Sequence, residues 1–259
     1  MAEIEVLPDP EALADAAAKR VVAVLGAAVA ERGVAHVALT GGSTAVALYV
    51  RLAASPRREA LDWSRVELWW GDERYVPPDH VASCARLALD ILLDIGDAGT
   101  GLPVPAEHIH PFPVEAAIGE GLGAAWAAQT YAEGLRARVP AGRDGLPVFD
   151  LVLLGMGVDG HILSVFPGSA ALAPGAPLAI AVPAPTHIEP HLPRLTLDPH
   201  VVAVARHVLV MCHGAAKAAR VAEVLEGPLD VARLPAQLAR GDNAVWLLDA
   251  AAAAGLRGR

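Results

Sequence analysis

Apolar and polar positions along this chain alternate between stretches that suit helices and short runs that suit buried strands. Asp9-Pro10 reads as an N-cap followed by proline at the first helical position, and the alanine-rich stretch from Glu11 to Arg32 runs as helix to a stop at Gly33. Apolar runs from His36 to Leu39, Val66 to Trp70 and Phe149 to Leu154 predict strands, the last, continuously apolar after Asp150, with the character of a buried parallel strand. Further strands are predicted from Leu178 to Val182, Leu195 to Leu197, His207 to Cys212 and Ala244 to Leu248, with a short extended piece from His108 to Phe112. Between them, helices are expected from Ala45 to Ala54, from a Ser83 cap through Asp94, from Gly119 to Val139, from Ala215 to Glu226 and around Ala236 to Arg240. Strands alternating with helices imply α/β architecture: a mostly parallel, Rossmann-like sheet covered on both faces as a three-layer sandwich.

No internal repeat, linker or charge block divides the chain, so residues 1–259 are read as one domain. Ligands of such sheets sit at the carboxyl ends of the strands. The loops after Leu39, Trp70, Leu154 and Cys212 should therefore meet on one edge, and the proline-rich segment from Pro183 to Pro193 reads as a functional loop.

Composition narrows the classes. Hydrophobic residues make up 54% of the chain and mean hydropathy is +0.41, so a membrane span has to be considered. Arg20, Glu31 and Arg32 bound the long apolar stretch near the start, proline or glycine cuts the later ones, and no span is expected. The opening Met-Ala-Glu-Ile-Glu-Val carries acids where a secretory signal carries bases, which places the protein in the cytoplasm. Cys84 and Cys212, far apart and in no metal-like spacing, are expected as reduced thiols. A net charge of −9 argues against a nucleic-acid partner. An anion site remains open to an acidic protein whose few cations converge, and Lys217 is one of only two lysines.

The stretch Phe149 to His161, FDLVLLGMGVDGH, matches the dinucleotide fingerprint G-x-G-x-x-G at Gly155, Gly157 and Gly160. The context of that fingerprint is missing. Pro167-Gly168 would end the required helix almost at once, and no carboxylate for a ribose stands near Ile180. What remains is a glycine turn presenting Asp159 and His161 at a strand end. There the imidazole can serve as a general base with the carboxylate fixing its tautomer, or it can simply cap the turn. Thr40-Gly41-Gly42-Ser43-Thr44, between a strand and a helix, can cradle an anion on bare N–H groups, or can use its glycines for steric reasons alone.

Taken in order, Gly41-Gly42-Ser43-Thr44, WWGDERYVP from Trp69, FDLVLLGMGVDGH from Phe149, PRLTL from Pro193 and HGAAK from His213 resemble the 6-phosphogluconolactonase family, related to the glucosamine/galactosamine-6-phosphate isomerases. With Leu234-Pro-Ala-Gln237 the resemblance spans most of the chain. It implies the fold of amino-sugar phosphate deaminases and ribose-5-phosphate isomerase. It also implies hydrolysis of 6-phospho-D-glucono-1,5-lactone, a small sugar-phosphate lactone, to 6-phosphogluconate in the pentose phosphate pathway, without cofactor or metal. Carried over by position, His161 is the base, Asp159 its partner, and Arg74 a cation near the reacting carbonyl. Gly41, Gly42, Ser43, Arg194 and Lys217 hold the phosphate. The chain departs from the family at Cys84, where asparagine is usual, and at Ile162, where threonine is usual.

Lactone hydrolysis needs a base for the attacking water, a donor for the developing oxyanion and a proton for the leaving ring oxygen, which one histidine and one cation can supply. Taken locally, Arg74 could instead be an ion-pair partner, Arg194 a strand-edge charge and Lys217 a solvated helix residue. His187 and His191 are candidates only for loop contacts. An amino-sugar-phosphate isomerase or deaminase of the same fold resembles the chain at Ile162, but carries tyrosine where Arg74 stands and glutamate where Val165-Phe166 stands. A sugar-phosphate-sensing regulator would need a basic DNA-binding segment, for which the chain has no room.

Overall fold

The strand, turn and helix units read from the sequence are present, and the computed structural model, which describes residues 1–93, 101–142 and 144–257, gathers them around one large sheet. Helix α1 (Pro10–Arg32) begins where Asp9 Oδ1 accepts the Ala12 N–H at 2.8 Å and ends where Gly33, at φ 78°, turns its N–H back to Val29 O. Leu13, Ala17, Val21, Leu25 and Ala28 form its buried face.

The strands are β1 (Glu3–Leu7), β2 (Ala35–Leu39), β3 (Val66–Trp70), β4 (Asp72–Arg74), β5 (Ile109–His110), β6 (Leu151–Gly155), β7 (Ala179–Val182), β8 (Arg194–Leu197), β9 (Val208–Cys212) and β10 (Ala244–Asp249). After α1 come α2 (Ser43–Ala53), α3 (Cys84–Ala88), α4 (Val114–Gly119), α5 (Gly123–Arg138), α6 (Val201–Val204), α7 (Ala218–Glu226) and α8 (Ala250–Ala253). Seven strands lie parallel in the order β1-β10-β9-β6-β2-β3-β5. Every residue of β2 and β9 is buried although successive side chains point to opposite faces, so both faces of the sheet are covered. Apart from edge strand β1, chain order runs outward in both directions from the β2/β6 pair, where Val37 and Ala38 lie beside Leu151 and Val152. This is the switch point at which a crevice opens in such sheets.

The strands predicted after Leu178 and Leu195 are outside this sheet. They form β7 and β8 of a separate antiparallel sheet, β4-β8-β7, in which the supposed exit loop Asp72–Arg74 is the outer strand β4. Tyr131 enables the departure: its hydroxyl donates to Trp70 O at 2.8 Å and accepts the Trp70 N–H at 2.7 Å, satisfying backbone that the parallel ladder has given up. Edge strand β1 was not anticipated, because its alternating, half-exposed residues pair on one side only, with β10. The helix expected from Gly119 to Val139 begins only at Gly123, as α5, because Gly121 and Gly123, at φ 68° and 83°, break the chain after the short α4 that precedes it. After Ser83, α3 widens into a π-helical turn, Leu89–Leu93, and the expected end at Asp94 lies outside the described residues. The segment around Ala236 to Arg240 is a 3-10 turn, Pro235–Arg240.

Candidate active site

The four loops expected to converge do so. A cavity of about 210 Å³ is lined by Thr40–Thr44 after β2, Asp72 and Arg74 after β3, Gly155–Gly157 and His161 after β6, and Lys217 after β9, with Glu189 and Arg194 closing it. A cavity of this size admits a small metabolite, well short of a dinucleotide. A larger groove of about 860 Å³ along α1 and β1 contains none of these residues.

The glycines of GMGVDGH build the turn that presents the imidazole. Gly160, at φ 88°, lets the chain fold back so that its N–H reaches Gly157 O at 3.1 Å, while the Gly157 N–H reaches His161 O at 2.9 Å. Inside this turn His161 Nδ1 lies 2.6 Å from Asp159 Oδ1, which also accepts the His161 N–H at 3.2 Å. The contact fixes the ring with its proton on Nδ1, leaving Nε2 for substrate. Gly157 is required for space: a Cβ there would lie 2.1 Å from His161 Nδ1, 2.3 Å from its Cε1 and 2.5 Å from Asp159 Oδ1. Burial opposes ionisation of Asp159, but the hydrogen bond and charge of His161, with a hydrogen bond from His187, hold its carboxyl well below the usual carboxylate range. The Leu234–Gln237 block supports the turn from outside, through an Ala236 N–H to Gly160 O bond of 2.9 Å and the Leu234 side chain against Gly160.

The cations lie around the same cavity without carboxylate partners. Arg194 is only 4% exposed, donates to Leu192 O at 3.2 Å and Pro190 O at 3.0 Å, and stands over the Phe166 ring at 5.9 Å. Burial and the neighbouring Arg74 guanidinium push it below the ordinary arginine value. Arg74 donates to Ala82 O at 2.9 Å, and its buried Nε has no partner. Lys217 Nζ donates to Met156 O. Among the described residues none of these three is ion-paired, whereas many surface arginines are. The buried Arg194 and half-buried Arg74 guanidiniums, near Asp72 and Glu73 but ion-paired with neither, form an attractor for an anion. Gly42, the N-cap of α2 at φ 90°, turns the start of that helix toward the cavity, where its first N–H groups add to the field. Tyr49 holds the preceding backbone by donating to Thr40 O at 2.6 Å.

Several contributors were not singled out from the sequence. Asp72 lines the cavity and accepts from Ser164 Oγ at 2.6 Å. Glu73, between two residues that face the cavity, is buried and accepts from the N–H groups of Arg74, Cys84 and Ala85 at 2.6, 2.6 and 2.7 Å and from Ser83 Oγ at 3.0 Å, so it ties β4 to the start of α3. His187, expected at most as a loop contact, reaches Asp159 Oδ2 at 2.8 Å. Both departures from the family pattern are core positions. Cys84 is fully buried, with its sulfur directly beneath Gly41, and burial pushes its thiol well above the ordinary value. Ile162 is fully buried and paired with Val165 at the foot of the turn.

Fold and cavity together define a Rossmann-like α/β protein whose switch point presents an imidazole–carboxylate pair beside unpaired cations. The family described as glucosamine-6-phosphate isomerases/6-phosphogluconolactonase matches residues 8–247. A 6-phosphogluconolactonase of Mycobacterium tuberculosis is 39% identical over 255 residues, covering 98% of both chains. Among solved structures, the 6-phosphogluconolactonase from Trypanosoma brucei superposes with a TM-score of 0.84 at 30% identity, over 99% of both chains. A monomeric glucosamine-6-phosphate deaminase superposes with a TM-score of 0.77 at 18% identity, over 98% of this chain and 99% of its own, which shows the shared fold alone. The chain belongs to the glucosamine-6-phosphate isomerase/6-phosphogluconolactonase family. Within the family, the relatives matched at 37–39% identity over nearly their whole length carry the name 6-phosphogluconolactonase.

Proposed function

We infer that this enzyme hydrolyses 6-phospho-D-glucono-1,5-lactone to 6-phosphogluconate, the step of the oxidative pentose phosphate pathway for which its relatives are named. The observation that carries the reading is His161, its Nδ1 bound to Asp159, in a cavity with three cations that form no ion pair among the described residues. His161 Nε2 takes a proton from the water whose oxygen bonds to the lactone carbonyl carbon. Arg74 stabilises the resulting oxyanion. When the bond from that carbon to the ring oxygen breaks, the Nε2–H returns the proton to the ring oxygen, which leaves as a hydroxyl. Asp159 stabilises the transient imidazolium without taking its proton. Arg194, Lys217, Ser43 and the backbone of Gly41 and Gly42 hold the phosphate.

Deamination of an amino-sugar phosphate is less well supported. Where the deaminase pattern has a glutamate, Val165 is fully buried and Phe166 lies 4.7 Å from the His161 ring, an apolar wall with no acid. We take residues 1–259 as one catalytic domain. Buried, unpaired Cys84 and Cys212 accord with a reducing compartment, and we assign the enzyme to the cytoplasm. The deciding assay supplies freshly generated lactone and, separately, glucosamine 6-phosphate, following acid release from one and ammonia from the other. Acid release well above the spontaneous rate, lowered about 10²–10⁴-fold in a folded His161→Ala variant, is expected. Ammonia release without lactone turnover would refute the reading.

A further inference from the structure

Asp159 carries two imidazoles. Its Oδ1 meets His161 Nδ1 at 2.6 Å, and its Oδ2 meets His187 Nε2 at 2.8 Å. His187 belongs to the strap between β7 and β8, and its ring stands edge-on to Phe166 with centroids 5.7 Å apart, on the same phenyl ring that flanks His161. The strap also supplies the carbonyls of Pro190 and Leu192 to Arg194 and places Glu189 at the cavity. Dyad, strap and buried arginine thus form one connected structure.

We propose that His187 is a positioning residue of the hydrolysis: by donating its Nε2–H to Asp159 Oδ2 it locks the carboxylate against rotation, so that Oδ1 stays on His161 Nδ1, and it fastens the strap to the dyad. The proposal rests on His161 being the general base. A carboxylate held by one imidazole can swing about its Cβ–Cγ bond; a second donor on the other oxygen removes that freedom. The same donor draws negative charge away from the His161 side. Its loss makes Asp159 a stronger partner for the imidazolium, and the acid limb of kcat/KM then moves to higher pH. The sign is the same whether His187 is neutral or charged. The remaining charged groups around the pair are Asp72 and Arg74 on β4, Arg194 on β8, Lys217 and Arg220 at the start of α7, and Glu189 and His191 on the strap. All are unchanged in a His187 variant, so a moved limb reads this contact.

The test compares wild type, His187→Ala, His187→Gln and His161→Ala by kcat, KM and the pH profile of kcat/KM on fresh lactone, with thermal melts to verify folding. The His187 side chain is about half exposed, so both substitutions at that position should leave the fold intact. His187→Ala is expected to lower kcat about five- to thirtyfold with KM changed less than about twofold, and to move the acid limb upward. His187→Gln, whose amide can place an N–H near the imidazole Nε2 position, should restore most of both. Wild-type kcat with an unmoved limb in His187→Ala, or a Gln variant no better than Ala, overturns the proposal while a crippled His161→Ala leaves the base assignment standing. Full turnover by His161→Ala would remove both.

Discussion

Gly157→Ala puts one methyl group where the structure leaves no room for it. The new Cβ would overlap the His161 ring and lie 2.5 Å from Asp159 Oδ1, so the 2.6 Å contact between the two side chains cannot persist in place. Gly157 is not among the glycines with positive φ, so alanine meets no backbone penalty there, and the atoms it strikes are side-chain ends that can rotate away. The damage should therefore fall on catalysis more than on folding. Displacing a catalytic group by about 1 Å costs on the order of 10²-fold, which sets the expected loss in kcat. Overpacking relieved by side-chain rotation costs about 1 kcal/mol, which lowers Tm by roughly 2–4 °C in a chain of this size. KM should change less than about threefold, because phosphate contacts are largely the same in ground and transition states. The assay is acid release from freshly generated lactone, with the spontaneous rate subtracted at each substrate concentration, alongside a thermal melt. A folded Gly157→Ala protein with wild-type kcat would mean that His161 does not act from this position, and the reading of the turn as a base-presenting device would fall.

Other outcomes follow from the same geometry. Lys217→Ala should raise KM about tenfold or more with a smaller change in kcat, while Arg194→Ala should damage both parameters, since it also releases the Pro190 and Leu192 carbonyls of the strap; steady-state kinetics showing wild-type KM in both would reject the phosphate assignment. Asp159→Asn removes the carboxylate that stabilises the His161 imidazolium, so neutral imidazole persists further into acid: the acid limb of kcat/KM should move to lower pH as kcat falls, and an upward or absent shift would contradict the pairing. Turnover should survive exhaustive chelation, because base catalysis suffices for a lactone and no group of three or more His, Cys, Asp or Glu among the described residues could hold a metal ion; loss on EDTA treatment restored by one divalent ion would overturn the mechanism.

Local sequence determined what local physics decides. Asp9-Pro10 and Gly33 set the ends of α1, apolar runs, broken in β2 only by His36, made β2, β6 and β9 buried parallel strands, and glycines beside Asp159 and His161 specified a turn at a strand end. The order of five short blocks identified the family before any distance was known. Tertiary structure decided what depends on long-range pairing. Nothing within Asp72-Glu73-Arg74 says that it leaves the parallel sheet to pair with Arg194–Thr196, because that strand lies more than 100 residues on and the vacated Trp70 backbone is satisfied by distant Tyr131. Burial likewise assigned Cys84 and Ile162 to the core, since a side chain's exposure depends on what packs above it. The contact of His187 with Asp159 spans 28 residues and exists only because β7 and β8 form a second sheet that carries their connecting strap back to the end of β6. Residue type and spacing encode which chemistry a loop can offer; which loops meet, and which charges remain unpaired when they do, is set by the packing of the whole chain.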